Sequence, residues 1–208
     1  MAIKAILFDT EMVRAILEGR KSCTRRIVKP QQLIGMLPDK CKNGAPEKFL
    51  KEKKLRFKPY CDMTDIELIN TAYKAPYQPG DILYVRETWK KAPNGYYYYE
   101  DWQRNDIADV TKWKPSIRMP KEAARIWLKV TDVRVERLQE ISAESALAEG
   151  ADKYIHTNGG LDENMTITSF IGIWNSTIKK SDIDRYGWDA NPYVWIIEFE
   201  RCEKPEGV

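Results

Sequence analysis

The stretch Tyr193 to Arg201 puts Val194, Ile196 and Glu198 on one side of an extended chain and Tyr193, Trp195, Ile197 and Phe199 on the other. A strand that is apolar on both faces has no side to offer to water, so it belongs in the middle of a sheet with material packed above and below. Neighbouring strands are therefore required, and the chain supplies them. Ile3 to Phe8 reads as a short buried strand, and Arg25 to Lys29 as another that Pro30 ends. After the Pro79-Gly80-Asp81 turn, Ile82 to Thr88 alternates, with Leu83, Val85 and Glu87 on one face and Ile82, Tyr84 and Arg86 on the other. Ala123 to Leu138 supplies a long alternating strand. Pro93-Asn94-Gly95 turns the chain into Tyr96 to Tyr99, which predicts a β-hairpin.

Helices fall between these strands. Thr10 reads as the N-cap of Glu11 to Glu18, whose Met12, Val13, Ile16 and Leu17 form an apolar stripe, and Gly19 stops it. Ser142 caps a short helix that ends at Glu149-Gly150, and Thr168 to Ile178 carries an apolar face of Phe170, Ile171, Trp174 and Ile178. Gln31 to about Ala75 differs from the rest. Lys40, Lys42, Lys48, Lys51, Lys53, Lys54 and Lys58 lie among scattered prolines, with weak periodicity until Asp65 to Ala72. This reads as a lysine-rich insertion at about 31–75 in a single domain spanning residues 1–208, either solubilising or following a phosphate backbone.

Composition narrows the function classes. The 34 basic and 31 acidic residues leave a formal charge of +3, so any preference for nucleic acid has to come from a local patch. No apolar run approaches the ~20 residues of a membrane span, and the amino-terminal residues lead into a strand rather than a signal sequence. A cytoplasmic, non-membrane protein is the expectation. Cys23, Cys41, Cys61 and Cys202 lie far apart without a CxxC pair, and His156 is the single histidine, so neither a metal site nor a cofactor is expected. His156 itself reads as a solvated loop residue beside Thr157-Asn158-Gly159-Gly160.

The chemistry concentrates at Gly19-Arg20-Lys21-Ser22-Cys23-Thr24-Arg25-Arg26. Glycine allows the positive-φ exit from the helix, after which side chains alternate. Lys21 and Thr24 can then meet near the turn, with Arg26 on the face of Thr24. Guanidiniums fork onto phosphate or carbonyl oxygens, while a desolvated lysine can act as a base. The plainer role for such cations is to offset a helix dipole, worth ~0.3–1 kcal/mol. Cys23 beside them has either a lowered pKa or, more plainly, the role of a small buried side chain. Glu149, at the negative end of its helix, is a candidate proton carrier against the default of an exposed glutamate. Trp113 to Pro120 forms a proline-bracketed loop fit to wall a site.

Taken together, Gly19, Lys21, Thr24 and Arg26, then Gly80-Asp81 with Val85-Arg86-Glu87-Thr88-Trp89, Trp113 with Pro115-Ser116-Ile117, Leu138 to Gly150, and Trp188-Asp189-Ala190-Asn191-Pro192 with Val194 and Ile197-Glu198-Phe199 resemble the ASCH domain family, and more closely its longer phage- and prophage-encoded members. The resemblance covers most of the chain outside the insertion. It implies an α+β fold, a PUA-like mixed β-barrel with flanking helices. In one branch it also implies an amidohydrolase acting on N4-acetylcytidine, with lysine as base, threonine as nucleophile and a helix-ending glutamate as proton donor; these roles fall on Lys21, Thr24 and Glu149. Arg26 matches a basic neighbour that holds substrate or oxyanion, and Arg86, Glu87 and Trp113 are the further candidate pocket residues.

Three function classes follow. The first is a hydrolase on an N4-acylated cytidine-type nucleoside. The second is a binding module for RNA or a modified base, for which Trp89, Tyr96, Tyr97, Tyr98, Tyr99 and Trp113 supply stacking surfaces among basic residues; at least two of the four tyrosines read as structural. A ribonuclease ranks third, because the chain has no metal-ligand cluster and a single histidine.

Overall fold

The computed structural model describes residues 1–29, 65–103 and 112–207. Most of the predicted insertion, with Cys41 and Cys61, lies outside the described residues.

Strand β1 (Ile3–Leu7) leads to helix α1 (Thr10–Leu17) and strand β2 (Cys23–Ile27). Asp9, not Thr10, caps α1: its carboxylate accepts from the Met12 amide, because the chain at Asp9 is still extended while Thr10 is already helical. Gly19 leaves the helix at φ +75°, as the turn demands. β2 starts two residues before the predicted Arg25, since Cys23 already pairs with Glu198 of the last strand. Helix α2 (Asp65–Ala72) follows, then β3 (Ile82–Arg86), the hairpin β4 (Trp89–Ala92) and β5 (Gly95–Tyr98), and the short helix α3 (Tyr99–Gln103).

The long strand β6 (Trp127–Arg137) precedes α4 (Ala143–Ala148), α5 (Glu163–Thr177), α6 (Ile183–Tyr186) and the last strand β7 (Tyr193–Cys202). β6 starts after the predicted Ala123, which ends a 3-10 turn from Lys121. α5 begins five residues earlier than its apolar stripe predicts, because the Asp162 carboxylate caps it by accepting from the Met165 amide and Thr166 is buried.

Five strands form one mixed sheet in the order β1-β3-β6-β7-β2. β7 is interior, as its two apolar faces require, between antiparallel β6 and β2. One face packs with Phe8, Val13, Ile16, Leu83, Trp195, Ile197 and Phe199, the other with Cys23, Leu138, Phe170, Trp174, Val194 and Ile196. A flat sheet of five strands would put β1 and β2 roughly 19 Å apart. Instead the Arg26 guanidinium donates to the Leu7 carbonyl at 3.1 Å, so the sheet curls until its two edges face each other. The result is a mixed α+β fold, a curled, barrel-like sheet with helices at its flanks. No helix among the described residues is long and apolar enough to cross a membrane.

Candidate functional site

The turn after α1 is held by one carbonyl. Ala15 O accepts from the amides of both Arg20 (2.8 Å) and Lys21 (3.0 Å), which turns the Lys21 side chain inward. The end of α4 lies directly alongside: Ser22 N donates to Ala148 O at 2.9 Å, and Lys21 pairs with Glu149 as an antiparallel bridge. Gly150 makes this approach possible. It adopts φ +92°, and a Cβ there would sit 3.1 Å from Ala15 Cβ.

Glu149 is consequently buried rather than exposed, and it is the hub of the site. Lys21 Nζ donates to Glu149 Oε2 at 2.7 Å and to the Glu149 carbonyl at 2.8 Å; Arg25 Nη1 donates to Oε1 at 3.2 Å. The side-chain exposures are 0% for Lys21, 1% for Arg25 and 6% for Glu149, so two cations share one carboxylate out of water. Removing ions from water costs several kcal/mol each, so such a group earns its place poorly by stability and well by chemistry. Arg25 carries a further burden, since its Nε and Nη2 are buried without a hydrogen-bond partner and its guanidinium lies 5.7 Å from the Phe170 ring centre. The pairing of Arg25 with Glu149 is the element that reading the motif misses; strand alternation places Arg25 on the face opposite Thr24, and only the position of α4 reveals its partner.

Thr24 is 3% exposed and faces the same side of β2 as Arg26. Its hydroxyl has no hydrogen-bond partner among the described residues, and no hydrogen bond joins it to Lys21. Lys21 Nζ and the Arg26 guanidinium both lie over the Phe8 ring, at 5.5 and 5.6 Å from its centre. Arg26 also reaches Leu7, whose register partner on β3 is Arg86, so both arginines gather at the carboxyl end of β1. Arg86 donates to Tyr84 Oη (3.2 Å) and to the Ile117 carbonyl (3.3 Å), and its Nε is buried without a partner.

Glu87 and Trp113 are placed elsewhere. Glu87 is 2% exposed and both its oxygens are taken by Arg125, at 2.9 Å each. Burial pushes the Glu87 carboxyl above its usual range despite that guanidinium. Trp113 packs edge-on against Tyr99 and Trp102, beside the hairpin. Cys23 does not become a reactive thiol: burial, then the Glu149 carboxylate, push it up to about 12, against the lowering influence of Arg25 and Lys21. His156 is on the surface, its Nδ1 3.5 Å from Asp162.

A cavity of about 270 Å³ opens between α1, the end of α4 and α5, with Met12, Ala15, Arg20, Glu149 and Ser169 in its wall. Glu149 is thus the member of the ion cluster that stands in this cavity's wall. Among the described residues no group of three His, Cys, Asp or Glu side chains gathers as a metal site.

No family profile matches this chain, and no curated protein matches it. A solved structure titled as the high-resolution crystal structure of an ASCH domain from Lactobacillus crispatus JV V101 is similar at a TM-score of 0.39 and 10% identity, over 96% of this chain and 79% of that one.

Proposed function

We propose that this chain hydrolyses the exocyclic amide of an N4-acylated cytidine-type nucleoside. The observation that carries the reading is the 2.7 Å contact between the buried Lys21 ammonium, three residues before Thr24 in the turn that leads into β2, and the Glu149 carboxylate. Across that contact a proton can pass from nitrogen to oxygen, giving a lysine amine able to take the Thr24 proton. In the acting form Glu149 holds the shared proton. Thr24 Oγ1 forms a bond to the acyl carbon and its proton goes to Lys21. The C–N bond then breaks, and the Glu149 proton goes to the departing N4 amine.

Water reverses the traffic. Its oxygen bonds to the acyl carbon, its proton returns to Glu149, Lys21 reprotonates the departing Thr24 oxygen, and the carboxylic acid leaves. Arg26 and Arg86 supply guanidinium donors for the acyl or base carbonyl oxygens. General acid help of this kind contributes ~10²–10⁴-fold, which sets the expected loss when Glu149 becomes glutamine.

The test is deacylation of N4-acetylcytidine by the parent chain and by Thr24→Val and Thr24→Ser. Thr24→Val keeps the shape and removes the hydroxyl, so it abolishes turnover while leaving the far-ultraviolet circular dichroism unchanged; Thr24→Ser retains measurable turnover. A parent chain that releases no carboxylate from N4-acylated cytidines overturns the reading.

A further inference from the structure

Of the buried cluster formed by Lys21, Arg25 and Glu149, the hydrolysis above gives Arg25 no task. Its position keeps it from the reacting atoms. Strand alternation puts Thr24 and Arg26 on one face of β2 and Arg25 on the other, toward α5, where its guanidinium lies 5.7 Å from the Phe170 ring centre. Whatever Arg25 contributes to the chemistry therefore passes through Glu149, to whose Oε1 it donates at 3.2 Å.

The bonding of Arg25 argues against a purely structural role. Its side chain is 1% exposed, yet Nε and Nη2 are buried without a hydrogen-bond partner. An apolar side chain would pack against Phe170 without desolvating a charge, and Lys21 by itself balances the charge of Glu149. What an apolar side chain could not do is hold Oε1. The two oxygens of Glu149 have different neighbours: Lys21 Nζ donates to Oε2 at 2.7 Å, and Arg25 Nη1 to Oε1. A protonated carboxyl carries its hydrogen on either oxygen. A guanidinium donates, cannot accept and does not lose its proton, so a hydrogen on Oε1 would face a donor unable to receive it. Oε2, beside the Lys21 amine, is the oxygen left for the proton. We infer that Arg25 is a positioning residue: by holding Oε1 from the far face of β2, it confines the mobile proton of Glu149 to Oε2, where it passes from Lys21 Nζ to the departing amine. The inference rests on the amide hydrolysis proposed above.

The test compares two leaving groups. The N4 amine has to be protonated as it departs, whereas 4-nitrophenolate leaves as the anion, so 4-nitrophenyl acetate should acylate Thr24 without a general acid. Arg25→Gln and Arg25→Met are made side by side, so that one neutral variant with the parent's far-ultraviolet circular dichroism suffices. On N4-acetylcytidine such a variant should lose at least about tenfold in kcat while KM stays within about twofold of the parent value. With 4-nitrophenyl acetate, the first burst of nitrophenolate, which reads acylation alone, should slow by no more than about threefold. Arg25→Lys, which keeps a donor that cannot accept, should recover most of the lost kcat on the amide. Equal losses on the two substrates mark a structural role and overturn the inference, as does amide turnover at the parent rate by a folded neutral variant. A parent chain inactive on N4-acylated cytidines overturns the hydrolysis and this inference together, so an active parent is the sign that Arg25 alone has failed.

Discussion

Two ion clusters lie on either side of β7 in the same sheet and obey opposite economies. At β2, Lys21 of the preceding turn and Arg25 of the strand converge on Glu149 with side chains at most 6% exposed. On β6, Arg134 meets Asp132, Glu136 and Glu198, but the arginine is 38% exposed and its partners 28–50%. The first is an excess of positive charge held out of water; the second is an excess of negative charge left in it. Water screens the second and lets its members move, whereas each member of the first is fixed by the others. Reactive geometry needs the fixed kind, which is why the functional reading rests on β2 although β6 has more ionic contacts.

The contrast is broken or sharpened by substitution. Glu149→Gln leaves two buried cations without their carboxylate and should destabilise the fold by about 3–5 kcal/mol in chemical denaturation; a loss under about 1 kcal/mol would mean that the cluster is hydrated. Asp81→Asn comes next, at about 1–3 kcal/mol. Burial raises the Asp81 carboxyl, but hydrogen bonds from Lys4 and from the amides of Ala2 and Gln78 outweigh it and hold it below the usual range. A depressed folded value means stability that is complete above the unfolded aspartate value, near pH 4, and lost as pH falls through the folded one. Thermal melts from pH 6 downward should therefore show a shallower acid limb for Asp81→Asn than for the parent.

Arg134→Ala, on the exposed cluster, should cost no more than about 1 kcal/mol, and the difference from Glu149→Gln is the measure of burial. The smallest effect is expected at Cys23: with its thiol pushed up to about 12, it should escape alkylation by iodoacetamide in the native chain at pH 8, as peptide mass spectrometry would show. Rapid native labelling of Cys23 would place the β2 cluster in contact with solvent.

How far these regions were legible follows from the range of the forces involved. Alternation and turn chemistry are local, so β7 as an interior strand, the Gly19 and Gly80 turns and the Ser142 cap could be read directly. Boundaries set by a single distant partner could not. β2 begins at Cys23 because Glu198 is opposite it, and α5 begins at Glu163 because Asp162 caps it. In the candidate site, 128 residues separate Lys21 from Glu149 and no spacing rule connects them, so that contact is not legible in local pattern. The pairing of Glu87 with Arg125 and the place of Trp113 beside the hairpin are hidden for the same reason: both depend on how α3 and the segment before β6 pack against the hairpin.

The central claim is that Thr24 carries the acyl group while the Lys21 and Glu149 pair moves its protons. Peptide mass spectrometry of the chain quenched during turnover of N4-acetylcytidine tests it most directly. The account predicts an acetyl group on the peptide containing Thr24, lost on longer incubation and absent from Thr24→Val. Turnover by Thr24→Val at the parent rate, with no acylated peptide at any time, would contradict it.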